Sequence, residues 1–163
     1  TSSTSVYGDH QGDWVDETAQ INPPNDNAQI LYETEIVLLG CSSAALKVCV
    51  FRLGEIHGPG REIAQRLRRM QNQVFPGTGE SFTNLIHRDD IVSALHFALI
   101  QQLNGVYNLC GDVHVSRRQL YEHLCLLEKL PPIQWDPAKT NQYSGNKRVS
   151  NQKLKSAGFV FTS

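Results

Sequence analysis

Short apolar runs that alternate with helical patterns constrain the fold of this chain more than any other feature of its sequence. Residues 47–53 and 106–110 are largely apolar on both sides of the strand repeat, as expected for strands buried in a parallel sheet. Apolar residues recur at helical spacing in the segments 27–39, 63–70 and 91–99. Strands that alternate with helices predict an α/β fold with a mostly parallel sheet.

The number of strands is small for a complete domain of this class. Residues 1–8 look like the end of a strand that runs into a turn, so two or three sheet strands are expected in total. A doubly wound domain has at least about five strands, with helices on both faces. The sequence therefore favours an incomplete unit from which something upstream has been removed. A small independent α/β unit stays open as the alternative.

Capping signals predict where the later helices begin. Asp89–Asp90 is predicted to cap the helix that follows it, and Asn104–Gly105 to close that helix. Ser116 and Gln119 have the spacing of a capping box. The apolar stripe of the next helix is predicted to consist of Leu120, Leu124 and Leu127.

Composition and charge argue against two classes of partner. The chain has 15 Lys and Arg residues against 16 Asp and Glu residues, so it has no basic field to attract nucleic acid. No stretch approaches the roughly 20 apolar residues that span a bilayer. We therefore expect neither a nucleic-acid nor a membrane partner.

The cysteines are widely spaced and form no C-x-x-C pair. This pattern favours buried, reduced thiols in a cytoplasmic protein over disulfides or metal ligands. The histidines show no ligand spacing with the cysteines, so no metal site is expected. The four cysteines are Cys41, Cys49, Cys110 and Cys125.

Four segments resemble, in chain order, motifs of the extended short-chain dehydrogenase/reductase family. Residues 2–8 (SSTSVYG) resemble the family's S-S-x-x-V-Y-G segment, and residues 52–61 (RLGEIHGPGR) its R-x-x-x-[IV]-Y-G-P-G turn. Residues 86–91 (IHRDDI) and 105–109 (GVYNL) are similar to its [IF]-H-[VR]-D-D and G-x-[VI]-Y-N-[LV] segments. The tail 147–154 (KRVSNQKL) is similar to an atypical subgroup known as NAD-dependent epimerases/dehydratases.

The resemblance implies a catalytic group of Ser or Thr, Tyr and Lys, in which the Tyr phenolate exchanges a proton with substrate. Ser3 occupies the Ser/Thr position and would orient the substrate oxygen, although it could instead cap the turn. Alignment on Glu35 puts Asn27 at the Tyr position and Leu31 at the Lys position. Neither residue can transfer the proton or hold a ribose, so the family's standard redox mechanism is not expected.

Two further departures bear on reaction and cofactor. Family members that dehydrate sugars carry an acidic pair where this chain has Thr4 and Ser5, which disfavours a 4,6-dehydratase and leaves these two residues as candidate substrate contacts. The glycine-rich turn that would grip the dinucleotide is absent from the sequence. The resemblance implies NAD or NADP, and this chain would line only the nicotinamide end and the substrate pocket.

The turn after the second strand carries the remaining candidate residues. Gly54 and Glu55 follow that strand, where open α/β sheets bind ligands, and are candidate cofactor contacts. Arg61 could recognise an anionic substrate group, or be an exposed arginine at a helix start. His57 could bind substrate or simply pack in the loop, and His87 could pair with a carboxylate or cap a helix.

The complete sequence-based hypothesis is the later half of a Rossmann-type parallel sheet with a small carboxy-terminal substrate-side lobe. Residues 1–111 would form the sheet with its helices, and residues 112–163 the lobe. Its function would be that of an NAD(P)-dependent epimerase/dehydratase-like oxidoreductase acting on a small polar or nucleotide-linked metabolite. The alternatives are a non-catalytic dinucleotide- or metabolite-binding module and an inactive truncated chain. Whether the chain forms a homo-oligomer is left open.

Overall fold

A computed structural model describes residues 1–139 and 145–163, and its centre is a three-stranded parallel sheet. Strand β3 (Cys49–Leu53) lies in the middle of this sheet, between β1 (Ser2–Ser3) and β7 (Gly105–Leu109). The strands predicted at residues 47–53 and 106–110 are thus confirmed, with bounds that move by one or two residues.

The register of the central sheet brings three strand ends to one edge. Ser3, the last residue of β1, pairs with Leu53, the last residue of β3. Leu53 in turn pairs with Leu109, the last residue of β7. Because the strands are parallel, the residues that follow each of them emerge side by side.

Short parallel pairs surround this sheet: β2 with β9, β4 with β6, and β5 with β8. Each pair joins segments that are distant in sequence, and the pairing of β2 with β9 connects the long loop before α1 (residues 8–25) to the tail. The strands of these pairs are β2 (Trp14–Val15), β4 (Glu55–His57), β5 (Val74–Pro76), β6 (Leu85–His87), β8 (Gln134–Asp136) and β9 (Arg148–Val149).

The helices confirm the predicted alternation with strands. A 3-10 helix follows β1 directly, and the α-helices lie between or after the later strands. Their bounds are Thr4–Tyr7 for the 3-10 helix, Asp26–Gly40 for α1, Ile63–Arg69 for α2, Arg88–Ile100 for α3, Arg117–Glu128 for α4 and Gln152–Ser156 for α5.

The buried apolar residues form separate clusters around the sheet. One cluster joins β3 and β7 to α3 and α5, another joins the 3-10 helix to β2, β9 and α1, and a third joins α2 and β5 to α4. Leu154 of the tail packs in the first cluster, and Leu67 packs with Tyr121 in the third. Both clusters cross the predicted division at residue 111, which stays a prediction.

Of the two capping predictions for helix α3, the one for His87 is confirmed and the one for Asp89–Asp90 is not. The cap is His87, whose Nδ1 accepts a hydrogen bond from the Asp89 backbone N–H at 3.2 Å. The prediction that Asp89–Asp90 caps the helix is therefore wrong. Asp90 is buried in the first turn and accepts hydrogen bonds from the N–H and hydroxyl of Thr162 at 3.0 and 3.1 Å.

The capping box of Ser116 and Gln119 is confirmed at the start of α4. The predicted leucine stripe is only partly right, because Leu127 is exposed while Tyr121 and Cys125 are the buried residues of the helix. Phe75 and Trp135 both contact the Tyr121 ring, so an aromatic side chain anchors this helix where aliphatic ones were expected.

All four cysteines are free thiols, and two of them, Cys110 and Cys125, are buried. Burial raises the pKa of the Cys110 thiol to about 12, so it stays protonated and unreactive at neutral pH. Cys49 is half-buried. Cys41 is exposed just after α1, so the prediction of a buried thiol is wrong there.

A buried ion pair connects α1 to the middle strand. The Arg52 guanidinium donates to both carboxylate oxygens of Glu35, with Nε at 3.1 Å from each and Nη2 at 2.6 Å from Oε2. Arg52 Nη1 also donates to the Tyr7 hydroxyl at 2.9 Å, and that hydroxyl donates to Asn108 Oδ1 at 2.7 Å. The network joins the 3-10 helix, α1, β3 and β7.

We expect Arg52→Met to lower the free energy of unfolding by about 3–5 kcal/mol, because it leaves the Glu35 carboxylate buried without its cation. The double variant R52M/E35L should recover most of this loss, since it removes both charges. Urea denaturation of the three proteins measures the difference.

The exposed pair of Lys139 and Asp136 provides the control for this prediction. Lys139→Met should change the stability by less than about 1 kcal/mol, because water already solvates both groups. A double variant as unstable as R52M would contradict the ion-pair interpretation and would point to lost packing of the arginine stem instead.

Candidate functional site

A polar cleft of about 200 Å³ opens where β1 and β3 end. Open α/β sheets bind their ligands at this edge, outside the carboxyl ends of the strands. The structure brings five of the predicted site residues together here. The lining residues are Ser3, Thr4, Ser5, Gly54, Glu55, Phe82, Thr83, Asn84, Arg117, Gly145 and Lys147.

The first wall of the cleft is the turn from β1 into the 3-10 helix. Ser3 is extended, with φ −137° and ψ 146°, and its Oγ accepts a hydrogen bond from the Ser5 backbone N–H at 3.1 Å. Ser3 is thus a helix cap in this structure. Its hydroxyl hydrogen is not used in that bond, so capping leaves the group able to donate to a substrate oxygen.

The second wall is the start of β4. A Cβ on Gly54 would lie 2.3 Å from the Asn84 carbonyl oxygen, so only glycine fits between the two backbones. The Gly54 N–H donates to the Leu109 carbonyl at 3.0 Å and the Glu55 N–H donates to the Asn84 carbonyl at 2.7 Å. Both amides therefore serve the fold, and their contact with a cofactor stays a prediction.

Two arginines flank the Glu55 carboxylate. Arg66 forms an ion pair with Oε1, and Arg117 Nη2 lies 3.7 Å from Oε2. The Arg117 guanidinium also lies over the Tyr121 ring, at 5.9 Å from its centroid. With one carboxylate shared between two guanidinium groups, this side of the cleft carries a net positive charge.

The third wall is the tail, which Asn84 holds in place. Asn84 Nδ2 donates to the Lys147 carbonyl at 3.0 Å, and its Oδ1 accepts from the Val149 N–H at 2.7 Å. Asn146 Oδ1 accepts from the Phe82 N–H at 3.0 Å. This side-chain clamp places residues more than 60 positions apart on one cleft.

Lys147 is the least expected residue of the cleft. Only 4% of it is exposed, and its Nζ donates to the Gly8 carbonyl at 3.0 Å. Burial lowers the pKa of its amine from 10.5 to about 8, and the Asp9 carboxylate opposes this effect only in part. The tail motif at residues 147–154 includes Lys147 and supports the family resemblance, but no signal in the sequence assigned this lysine to the site.

His57 and Arg61 lie outside the lining of this cleft. His57 contacts His87 edge to face, with ring centroids 5.2 Å apart, and burial together with His87 lowers its pKa. Arg61 is exposed, and its N–H donates to the Gly58 carbonyl at 2.8 Å. Their predicted roles toward substrate remain predictions.

The two residues that the sequence predicts at the family's Tyr and Lys positions, Asn27 and Leu31, lie at the start of α1. Asn27 is exposed in the first turn. Leu31 is half-buried and packs against the apolar cluster that includes Val6 and Tyr7. Leu31 is therefore a packing residue, which agrees with the expectation that it cannot hold a ribose.

The cleft fits the nicotinamide end of a dinucleotide only in part. The hydroxyls of Ser3, Thr4 and Ser5 stand at the strand edge where such a ring would lie. Leu31 supplies no ribose contact. Within residues 1–139 and 145–163 no group of acidic, histidine or cysteine side chains has the arrangement of a metal site, and no helix is long and apolar enough to cross a bilayer.

Comparison with known sequences identifies relatives that are longer than this chain. Protein YeeZ from Escherichia coli (strain K12) is 35% identical over 136 residues, which cover 83% of this chain and 47% of YeeZ. The chain thus spans about half the length of this curated relative.

Solved structures share the fold over nearly the whole chain. A functionally unknown conserved protein from Silicibacter pomeroyi is 30% identical with a TM-score of 0.83, covering 98% of this chain and 59% of its own. MoeE5, solved in complex with UDP-glucuronic acid and NAD, is 23% identical with a TM-score of 0.79, covering 99% of this chain and 58% of its own. The second likeness concerns the fold alone.

The family model for the NAD dependent epimerase/dehydratase family matches residues 1–110, the part that contains the central sheet and two walls of the cleft. The resemblance seen in the motifs is confirmed, as is a Rossmann-type α/β fold with a parallel sheet. This chain belongs to the NAD dependent epimerase/dehydratase family.

Proposed function

We propose that this chain is the substrate-side part of an NAD(P)-dependent epimerase/dehydratase-like oxidoreductase that acts on a small polar or nucleotide-linked metabolite. The observation that carries the proposal is the cleft at the ends of β1 and β3, which hydroxyl-bearing residues line together with two basic residues, Arg117 and Lys147. Hydroxyls suit sugar oxygens, and the cations suit a phosphate or carboxylate of the same ligand.

The roles of the individual residues follow from their places in the cleft. Ser3 would orient the reacting substrate oxygen through its free hydroxyl hydrogen, and Thr4 and Ser5 would contact neighbouring oxygens. Gly54 and Glu55 would border the nicotinamide end of NAD or NADP. The bound nicotinamide would supply the hydride chemistry, while the chain's own residues bind and orient the substrate.

Calorimetric titration of UDP-glucuronic acid and UDP-glucose, with and without NAD or NADP, tests this proposal. We expect binding of at least one nucleotide sugar, and Arg117→Gln should weaken it about tenfold or more, because a charged hydrogen bond contributes about 1.5–3 kcal/mol. UDP-glucuronic acid is the first choice, because the solved structure of MoeE5 is a complex with this ligand and NAD.

Arg118→Gln is the matched control for this experiment. Arg118 is the next residue of α4, pairs with Glu80 at 2.8 Å, and is absent from the cleft lining. It should leave the affinity unchanged. Failure of both nucleotide sugars to bind at millimolar concentration, with either dinucleotide present, would refute the nucleotide-linked part of the proposed substrate class.

A second candidate is a binding module without catalysis, and the two departures in α1 favour it. Asn27 has no titratable proton, and Leu31 is committed to packing. Binding of a dinucleotide or nucleotide sugar with no change in the absorbance of reduced nicotinamide, for any carbonyl substrate offered, would support this candidate. Measurable hydride exchange would exclude it.

A homo-oligomer is the partner that the surface of α1 supports. Large apolar side chains remain exposed along this helix, and burying them in a second copy would release ordered water. Sedimentation at several concentrations should then show a concentration-dependent mass, whereas a constant monomer mass would refute this. The exposed residues are Ile30, Ile36, Val37 and Leu38.

A further inference from the structure

Lys147 is held in a position that is costly for a lysine. Its side chain is almost entirely withdrawn from water, and the described residues supply one hydrogen-bond acceptor to its amine, the Gly8 carbonyl. An ammonium group has three N–H donors, and burial without full partners disfavours its charged form. Such a residue is retained more readily where its amine serves a ligand.

The charged groups around the amine do not neutralise it. Asp9 is the nearest acidic influence, but its Oδ1 already accepts from the Gln11 and Asn146 backbone N–H groups at 3.0 and 2.8 Å. The other charged side chains that line the cleft are Glu55, which is paired with Arg66, and Arg117. Within the described residues no carboxylate lies within ion-pair distance of Lys147.

Close backbone packing fixes the lysine at this place. A Cβ on Gly145 would lie 2.2 Å from the backbone of Gly8 and Asp9, so the tail approaches the loop without room for a side chain. Asn84 binds the Lys147 carbonyl from the other side. The amine thus reaches the Gly8 carbonyl at the end of the 3-10 helix that Ser3 caps, and Lys147 lines the same cleft as Ser3.

We propose that the Lys147 amine is a substrate-facing proton donor and acceptor of the cleft, acting on the oxygen that Ser3 would orient. This inference rests on the proposed function for its substrate and deepens it, because it assigns proton exchange to a residue outside α1. Asn27 and Leu31, the residues at the predicted Tyr and Lys positions, offer no side chain that can exchange this proton.

The proton step balances in both directions. When a substrate carbonyl is reduced, one ammonium N–H bond breaks and the new hydroxyl O–H bond forms, while the hydride comes from the reduced nicotinamide of the proposed function. When a hydroxyl is oxidised, the neutral amine takes the hydroxyl proton and the hydride leaves to the oxidised nicotinamide. After either reaction the lysine returns to its starting form by exchanging one proton with the water of the open cleft.

Reductive alkylation of the wild-type chain tests whether the amine is neutral and reachable through the cleft. Glycolaldehyde forms an imine with a neutral amine by loss of water, and cyanoborohydride reduces that imine, so the modified lysines can be identified by peptide mass spectrometry. At pH 7.5 we expect Lys147 to react at least about tenfold faster than exposed Lys139, because burial lowers the pKa of the Lys147 amine to about 8 and so raises its unprotonated fraction. UDP-glucuronic acid should slow the reaction of Lys147 only.

The outcomes separate this inference from the proposed function. Slower labelling of Lys147 than of Lys139 would overturn the inference, and so would unchanged labelling under conditions where calorimetry shows UDP-glucuronic acid bound. Rapid labelling without any nucleotide-sugar binding would support the reactive amine and count against the proposed substrate class alone.

Thermal melts across pH give an independent readout with Lys147→Met. The lysine pKa falls from 10.5 to about 8 on folding, so between these values the unfolded chain binds more protons than the folded chain. Stability of the wild type should therefore rise relative to K147M by several degrees in melting temperature between about pH 8 and pH 10.5.

The difference between the two proteins removes the contribution of every other titrating group. A flat difference over this pH range would show that Lys147 has an ordinary amine, and it would overturn the inference. If K147M fails to fold, the labelling of the wild type still decides the question.

Discussion

The Arg52–Glu35 ion pair is the interaction on which the rest of this structure depends. Arg52 lies in the middle strand, and its guanidinium reaches both α1 and the Tyr7 hydroxyl, which in turn donates to Asn108 in β7. Both charges are almost fully buried, so removing one of them would leave the other buried without a partner. This requirement holds the 3-10 helix, and with it the Ser3 turn, against the strand that ends at Leu53.

The cleft is the consequence of that arrangement together with two long-range anchors. The long loop is tied to the sheet by Glu17, which accepts a hydrogen bond from the Asn108 N–H at 2.7 Å. The tail is tied by Asn84 to the segment before β6. The parallel pairing of β2 with β9 then joins loop and tail to each other. The turn after β1, the start of β4 and the tail thus border one polar space, and Lys147 of the tail is buried at its edge.

Much of the fold was predictable because its signals are local. Strands β3 and β7, the bounds of α1 and α2 and the capping box of Ser116 follow from periodicity and capping chemistry within a few residues. The errors arose where neighbours far along the chain decide burial. Leu127 has the spacing of a core residue but is exposed, and Cys41 is exposed although thiols are usually buried. Periodicity identifies a helix face without showing what covers it.

By itself the sequence determined the family, through motifs in a fixed order, and the cluster of Ser3, Thr4, Ser5, Gly54 and Glu55, since parallel strands end at one edge. Only the tertiary structure decided which other side chains meet them. In the sequence, Asn84, Arg117 and Lys147 lie at positions that have no apparent relation to one another. Their convergence depends on strand pairing and side-chain clamps between distant segments, and the burial that changes the chemistry of the lysine exists only after the chain has folded.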